Sequence, residues 1–141
     1  MKRKGSATWQ GGLKDGKGTV STESGGLTNV PYAFSNRFEE VKGANPEELV
    51  AAAHASCFAM ATSAQLGSAG ITAEKIAATA TVTLEKVGDA FSITASELDV
   101  TLRAPGADRA ALEKAVQNAK TGCPVSKLLN AKISLNLKIE N

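Results

Sequence analysis

Alternating apolar and polar positions dominate the second half of the chain. Ile76, Ala78, Ala80, Val82 and Leu84 alternate with Ala77, Thr79, Thr81, Thr83 and Glu85, which predicts a half-buried strand from Ile76 to Lys86. Val87-Gly88-Asp89-Ala90 joins it to a second strand, Phe91 to Leu102. There the apolar set changes phase, from Phe91, Ile93 and Ala95 to Leu98, Val100 and Leu102, so a bulge is expected around Ser96-Glu97. Ile133, Leu135, Leu137 and Ile139 alternate with polar neighbours and predict a last strand. Nearer the start, Ala7–Gln10 and Gly18–Ser21 are short β-prone pieces separated by Gly11-Gly12 and Asp15-Gly16, a hairpin pattern. Beyond a loop at Gly25-Gly26, Tyr32 to Phe38 predicts a third strand, and a turn at Gly43 leads to Asn45.

Helical signals fall between these groups. Asn45 suits an N-cap, Pro46 the first helical position, and Glu48 the carboxylate position of a capping box. The helix they open is expected to run to about Leu66 or Gly67. Small apolar residues occupy nearly every face of it, which predicts burial all round and close approach of another helix. A second helix is expected over about Asp108 to Lys120, with Leu112, Ala115, Val116 and Ala119 as its apolar stripe. Gly122 ends it, and Cys123-Pro124 opens a short third helix through Leu129. Grouped strands separated by helices indicate an α+β fold. There is no repeat and no linker, so residues 1–141 are read as one domain.

Composition narrows the function classes. Apolar residues at 43% and charged residues at 21% are ordinary for a globular chain, and a net charge of +2 gives no basis for nucleic-acid binding. No basic stripe with interleaved aromatics is present either. Met1-Lys2-Arg3-Lys4 reads as a solvated arm, and without a following apolar region no secretory signal is expected. Ser, Thr, His, Gln or Gly interrupts every apolar stretch, so no membrane span is expected and a cytoplasmic location is.

That compartment constrains the two cysteines, because permanent disulfides are disfavoured in reducing surroundings. Cys57 and Cys123 are then packing residues, partners in a transient redox cycle, or metal ligands. Metal fits worst: the chain has a single histidine, His54, and no Cys-x-x-Cys spacing. A cysteine inside an apolar helix, as Cys57 is, most often simply packs. Cys123 differs, since an N-cap position before Pro124 favours a thiolate through unpaired N–H groups and the helix dipole. Local physics thus nominates Cys123 as the low-pKa thiol, and Cys57 needs a cation from elsewhere. Arg37 is the candidate, able to favour a thiolate and to donate to an oxygen substrate. Glu47 could fix its guanidinium through a bidentate pair. Each has a plainer role open to it, Arg37 as a surface arginine and Glu47 as a first-turn acid. His54, one turn before Cys57, could act as base or donor, though a packed helix histidine is the expected reading.

The segments Asn45-Pro46-Glu47-Glu48-Leu49, Ala52-Ala53-His54-Ala55-Ser56-Cys57-Phe58 and Gly122-Cys123-Pro124-Val125-Ser126 resemble the osmotically inducible protein C / organic hydroperoxide resistance (OsmC/Ohr) family. The stretches Gly18–Gly25 and Pro31-Tyr32 to Arg37-Phe38-Glu39 make the OsmC branch the closer likeness, which covers essentially the whole chain. The resemblance implies a thiol-dependent peroxidase of the osmotic and oxidative stress response. In that reading Cys57 attacks the peroxide and becomes a sulfenic acid, Cys123 condenses with it to a disulfide, and an external dithiol, such as a lipoyl-type reductant, restores both thiols. Arg37 and Glu47 match the family's arginine and glutamate, and no haem, flavin or metal is implied. On the family pattern Cys57, not Cys123, is the nucleophile.

The family also implies an intertwined homodimer, with antiparallel sheets around central buried helices. The spacing supports a shared site: Glu47 and Cys57 are ten residues apart, or roughly 15 Å along a straight helix. Two other functions compete. One is a non-catalytic dimer that holds a small apolar ligand and merely packs its cysteines. The other is a protein thiol–disulfide oxidoreductase, which lacks its usual Cys-x-x-Cys here. Phe58 and Met60 near Cys57 suit an organic hydroperoxide better than hydrogen peroxide.

Overall fold

Glycine between aromatics organises the N-terminal part of the computed structural model, which describes residues 1–141. Strands β1 (Gly5–Gln10), β2 (Lys17–Thr22) and β3 (Val30–Ala33) form an antiparallel sheet in the order β1-β2-β3. In its cross-strand register Gly18 lies between Trp9 and Tyr32, whose ring centroids are 5.4 Å apart. A Cβ on Gly18 would meet Tyr32 Cε1 at 2.6 Å and Trp9 Cε3 at 2.9 Å. The missing side chain therefore lets the two rings meet across the middle strand.

The third strand is shorter than its alternation predicts. It stops at Ala33, and helix α1 (Phe34–Phe38) follows, so Arg37 sits in a helical turn and not at a strand end. Asn36 causes the change of direction. Its Oδ1 accepts the Ala33 N–H at 2.8 Å, and its Nδ2 donates to the carbonyls of Val41 and Lys42. Phe34 and Phe38, one turn apart, pack at 4.7 Å between centroids. These elements and the start of the next helix make up one unit, Met1–Leu49; Val50–Asn141 makes up the other.

Helix α2 runs Pro46–Ser68, with Asn45 Oδ1 accepting the Glu48 N–H at 2.8 Å as its cap. At 23 residues it reaches the length and mean hydropathy of a membrane span, despite the interrupting polar residues. Its apolar character comes largely from alanine. The expectation of burial all round is not met within the chain: only His54, Phe58, Thr62 and Leu66 are buried, one line along one face. Ala52, Ala53, Ser56, Met60, Ser63 and Ala64 are exposed.

In the C-terminal unit, β4 (Lys75–Val87), β5 (Ala90–Arg103) and β6 (Lys132–Ile139) form a sheet in the order β4-β5-β6. Gly88, at φ 63°, takes the first position of the two-residue β4–β5 turn. The bulge falls at Thr94, which is skipped between the pairs Thr83–Ala95 and Leu84–Ile93, and not at Ser96-Glu97. That slip puts Ile93 on the same face as Ser96, Leu98, Val100 and Leu102, the last four of them buried. The sheet is mixed, because β6 runs parallel to β5. A crossover through α3 (Arg109–Gly122) and α4 (Pro124–Leu128) makes that possible. Asp108 caps α3 through the Ala111 N–H, and Leu112, Ala115, Val116 and Ala119 are its buried stripe, as the spacing predicts. These side chains, Phe58 and Leu66 from α2, and the inner face of β5 build one core.

Candidate active site

The C-terminal unit brings the two cysteines together. Cys57 lies midway along α2, half-buried and packed against the core. Cys123 sits between α3 and α4 and is fully buried, its N–H donating to the Ala119 carbonyl at 2.9 Å. Both are free thiols, and each perturbs the other's acidity.

Their environments push them apart in acidity. Burial is the main cause that raises the Cys57 thiol, and its bond to Cys123 adds to this, while the Val125 backbone works against it. Cys123 is also penalised by burial. That penalty is outweighed by hydrogen bonds from Cys57, from the backbone and side chain of Ser126, and from the Val125 backbone, so its pKa is lowered. The direction is the one expected of a thiol at the start of α4, with Cys57 as the largest lowering cause and the Ser126 backbone next.

Arg37 and Glu47 form the second pair, in the N-terminal unit. Arg37 Nε donates to Glu47 Oε1 at 3.0 Å and to Oε2 at 3.3 Å, and Nη2 donates to Oε1 at 2.8 Å. This fixes the plane of the guanidinium and leaves its Nη1 side for another acceptor. The Phe38 ring lies 5.1 Å from Arg37 Cζ. Beside the pair, Trp9, Tyr32, Phe34, Phe38 and Pro46 line a mostly apolar cleft of about 240 Å³. The cleft aromatics were not singled out by sequence reasoning, although the aromatic density of Tyr32 to Phe38 is its visible trace.

His54 is packed, as expected, and also fully bonded. Its Nδ1 lies 2.7 Å from Ser96 Oγ and its Nε2 lies 2.8 Å from Ser126 Oγ. Both ring nitrogens are engaged, which removes His54 as a base for Cys57. Burial lowers its pKa, so the ring is neutral. Ser96 and Ser126 had no signal in the sequence beyond the phase change in β5 and the Gly-Cys-Pro-Val-Ser run. No group of three or more His, Cys, Asp or Glu side chains converges as metal ligands.

Residues 39–138 match the family model described as OsmC-like protein. The chain is 50% identical over 139 residues to Peroxiredoxin OsmC of Escherichia coli K12, covering 99% of this chain and 97% of that one. The chain belongs to the OsmC-like family. Among solved structures, an OsmC-like protein from Mycoplasma pneumoniae superposes with a TM-score of 0.79 at 16% identity, covering 100% and 99% of the two chains. The organic hydroperoxide resistance protein OhrB of Bacillus subtilis gives 0.68 at 23% identity over 97% and 98%. At those identities the likeness speaks for the fold, α+β as expected. The thiol pair and the Arg37–Glu47 pair are thus features of an OsmC-like chain.

Proposed function

We propose that this protein is a thiol-dependent peroxidase that reduces organic hydroperoxides with Cys57 and Cys123. The observation that carries the reading is the contact between two free thiols of unequal acidity, one half-buried and one fully buried. The Cys57 thiolate attacks the peroxide: an S–O bond forms, the O–O bond breaks, and the alkoxide takes a proton and leaves as alcohol. The Cys123 thiolate then attacks the sulfenic sulfur, forming the disulfide, and the departing hydroxide takes a proton to become water. An external dithiol, of the lipoyl type or similar, returns both thiols. A reducing cytoplasm suits that cycle.

The Cys57 thiol alone is poorly ionised, so the first step needs a cation. Arg37, oriented by Glu47, supplies it. Lowering a thiol pKa by about two units corresponds to about 2.7 kcal/mol, which a poorly solvated guanidinium can provide. Because roughly 15 Å of helix separates Glu47 from Cys57 in one chain, the Arg37 and Glu47 of the partner subunit serve Cys57. Residues 1–141 then act as one OsmC-like domain in an intertwined homodimer, and the exposed alanine-rich face of α2 lies at its centre. The apolar cleft beside Arg37 holds the organic group of the substrate.

The test is consumption of cumene hydroperoxide by pre-reduced protein with a dithiol, for wild type and Cys57→Ser. Turnover in the wild type and none in the variant is expected. Both thiols surviving peroxide exposure in the wild type would overturn the reading and favour packing cysteines in a ligand-binding dimer.

A further inference from the structure

A buried polar chain runs from β5 through α2 and α4 to the second thiol. Ser96 Oγ meets His54 Nδ1 at 2.7 Å, His54 Nε2 meets Ser126 Oγ at 2.8 Å, and Ser126, three residues on from Cys123, is among the groups that lower the Cys123 pKa. Ser96 and His54 have no exposed surface, Cys123 has none, and Ser126 retains 7%. Solvent therefore does not replace any of these bonds.

The chemistry of the groups sets the direction of every proton. A neutral imidazole has one donor and one acceptor nitrogen. Whenever Cys123 is a thiolate it only accepts, so the Ser126 hydroxyl then donates to its Sγ. The Ser126 oxygen then accepts from His54 Nε2–H, and His54 Nδ1 accepts from the Ser96 hydroxyl. One tautomer satisfies all three bonds, and in it each donor points toward the sulfur. Without the histidine, the Ser126 hydroxyl could turn away to another acceptor, and the thiolate would lose a donor in a site shut off from water.

We propose that His54 is a positioning residue for the resolving step, holding the Ser126 hydroxyl on Cys123 while Ser96 holds the imidazole. The inference rests on the peroxidase reading above, with Cys123 as the thiol that attacks the Cys57 sulfenic acid. It assigns His54 no part in the attack on peroxide.

The experiment follows the two half-reactions separately. Pre-reduced protein is mixed with one equivalent of cumene hydroperoxide and quenched at intervals. Dimedone trapping at Cys57 reads the sulfenic acid, and non-reducing mass analysis reads the disulfide. His54→Leu and Ser126→Ala should form sulfenic acid at the wild-type rate and then accumulate it. Disulfide formation should be about tenfold or more slower, the scale of a lost hydrogen bond to a charged group. His54→Gln, which keeps an N–H near the Nε2 position, should recover most of the rate. The double variant should be no slower than the slower single one, because both changes remove the same bond. A wild-type disulfide rate in either single variant, or slowing that multiplies in the double, would overturn the inference. Should His54→Leu fail to fold, Ser126→Ala decides alone. Absence of sulfenic acid in the wild type would sink the peroxidase reading, and this inference with it.

Discussion

Cys57 and Cys123 act on each other's acidity in opposite directions, raising the first thiol and lowering the second. A half-buried thiol beside a more acidic one is a weak nucleophile until a cation changes the balance. In the proposed peroxidase cycle that cation is Arg37. Arg37→Met should raise the Cys57 pKa and move its alkylation by iodoacetamide to higher pH. The peroxide rate at neutral pH should drop about a hundredfold, the equivalent of two pKa units. An unchanged alkylation profile would mean that Arg37 does not act on Cys57. Arg37→Lys keeps the charge but loses the two-nitrogen grip on Glu47, and an intermediate rate is expected.

Burial of a neutral histidine links stability to pH. The His54 pKa is lowered by desolvation, so below its ordinary value of about 6.5 the unfolded chain binds a proton that the folded chain does not. By linkage, stability must then decrease as the pH falls below that point, by at most about 1.4 kcal/mol per unit. Urea unfolding at pH 7.5 and pH 5.5 measures it. His54→Gln removes the titrating group, so its loss of stability between the two pH values should be smaller. An equal loss in both proteins would show that carboxylates alone account for acid sensitivity.

Much of this arrangement was legible in the sequence, and the exceptions share a cause. The stripe Leu112, Ala115, Val116, Ala119 repeats at helical spacing, and the structure buries those residues. Asn45 caps its helix as expected, because a side-chain oxygen three residues before an N–H is a local relation, and Asp108, expected as the first residue of its helix, is in fact its cap. Arg37 was misplaced on a strand because Tyr32 to Phe38 is β-prone, whereas the Asn36 bonds to Ala33, Val41 and Lys42 decide for a turn. The bulge was placed two residues late for a similar reason: a change of phase shows that a residue is extra, and pairing with β4 decides which one. Ser96 and Ser126 stand 42 and 72 residues from His54, and no period in a sequence reports such a meeting.

Thr62 continues the buried line of His54 and Phe58 along α2, yet its hydroxyl has no hydrogen-bond partner. A buried hydroxyl without a partner costs about 1–3 kcal/mol relative to an apolar group of the same shape. Valine has that shape, with a methyl in place of the hydroxyl. Thr62→Val should therefore stabilise the protein by roughly 1 kcal/mol and raise the midpoint of thermal unfolding, with peroxide turnover unchanged. A lowered midpoint would mean that the hydroxyl has a partner in the assembled protein.

Gly18 is the residue on which the apolar cleft rests. A methyl there would press on the Trp9 and Tyr32 rings and on the Thr8 carbonyl. Gly18→Ala should cost about 1–3 kcal/mol of stability by overpacking and displace the cleft aromatics. If that cleft holds the organic group, KM for cumene hydroperoxide should rise, while the rate with hydrogen peroxide changes little. An equal loss on both substrates would place the organic group elsewhere.

A site shared between subunits makes a quantitative demand on mixtures. Arg37→Met and Cys57→Ser should each be inactive as homodimers, because each lacks one half of every site. Unfolded together in equal amounts and refolded, half of the dimers are mixed. In each mixed dimer one site has lost both groups and the other keeps both, the arginine from the Cys57→Ser chain and the thiol from the Arg37→Met chain. Activity should return to about a quarter of the wild-type value per chain. Mixing without refolding should restore nothing if the subunits do not exchange. If each chain instead built its own site, the refolded mixture would stay as inactive as its parents, and Glu47 would have to reach Cys57 of the same chain across roughly 15 Å of helix.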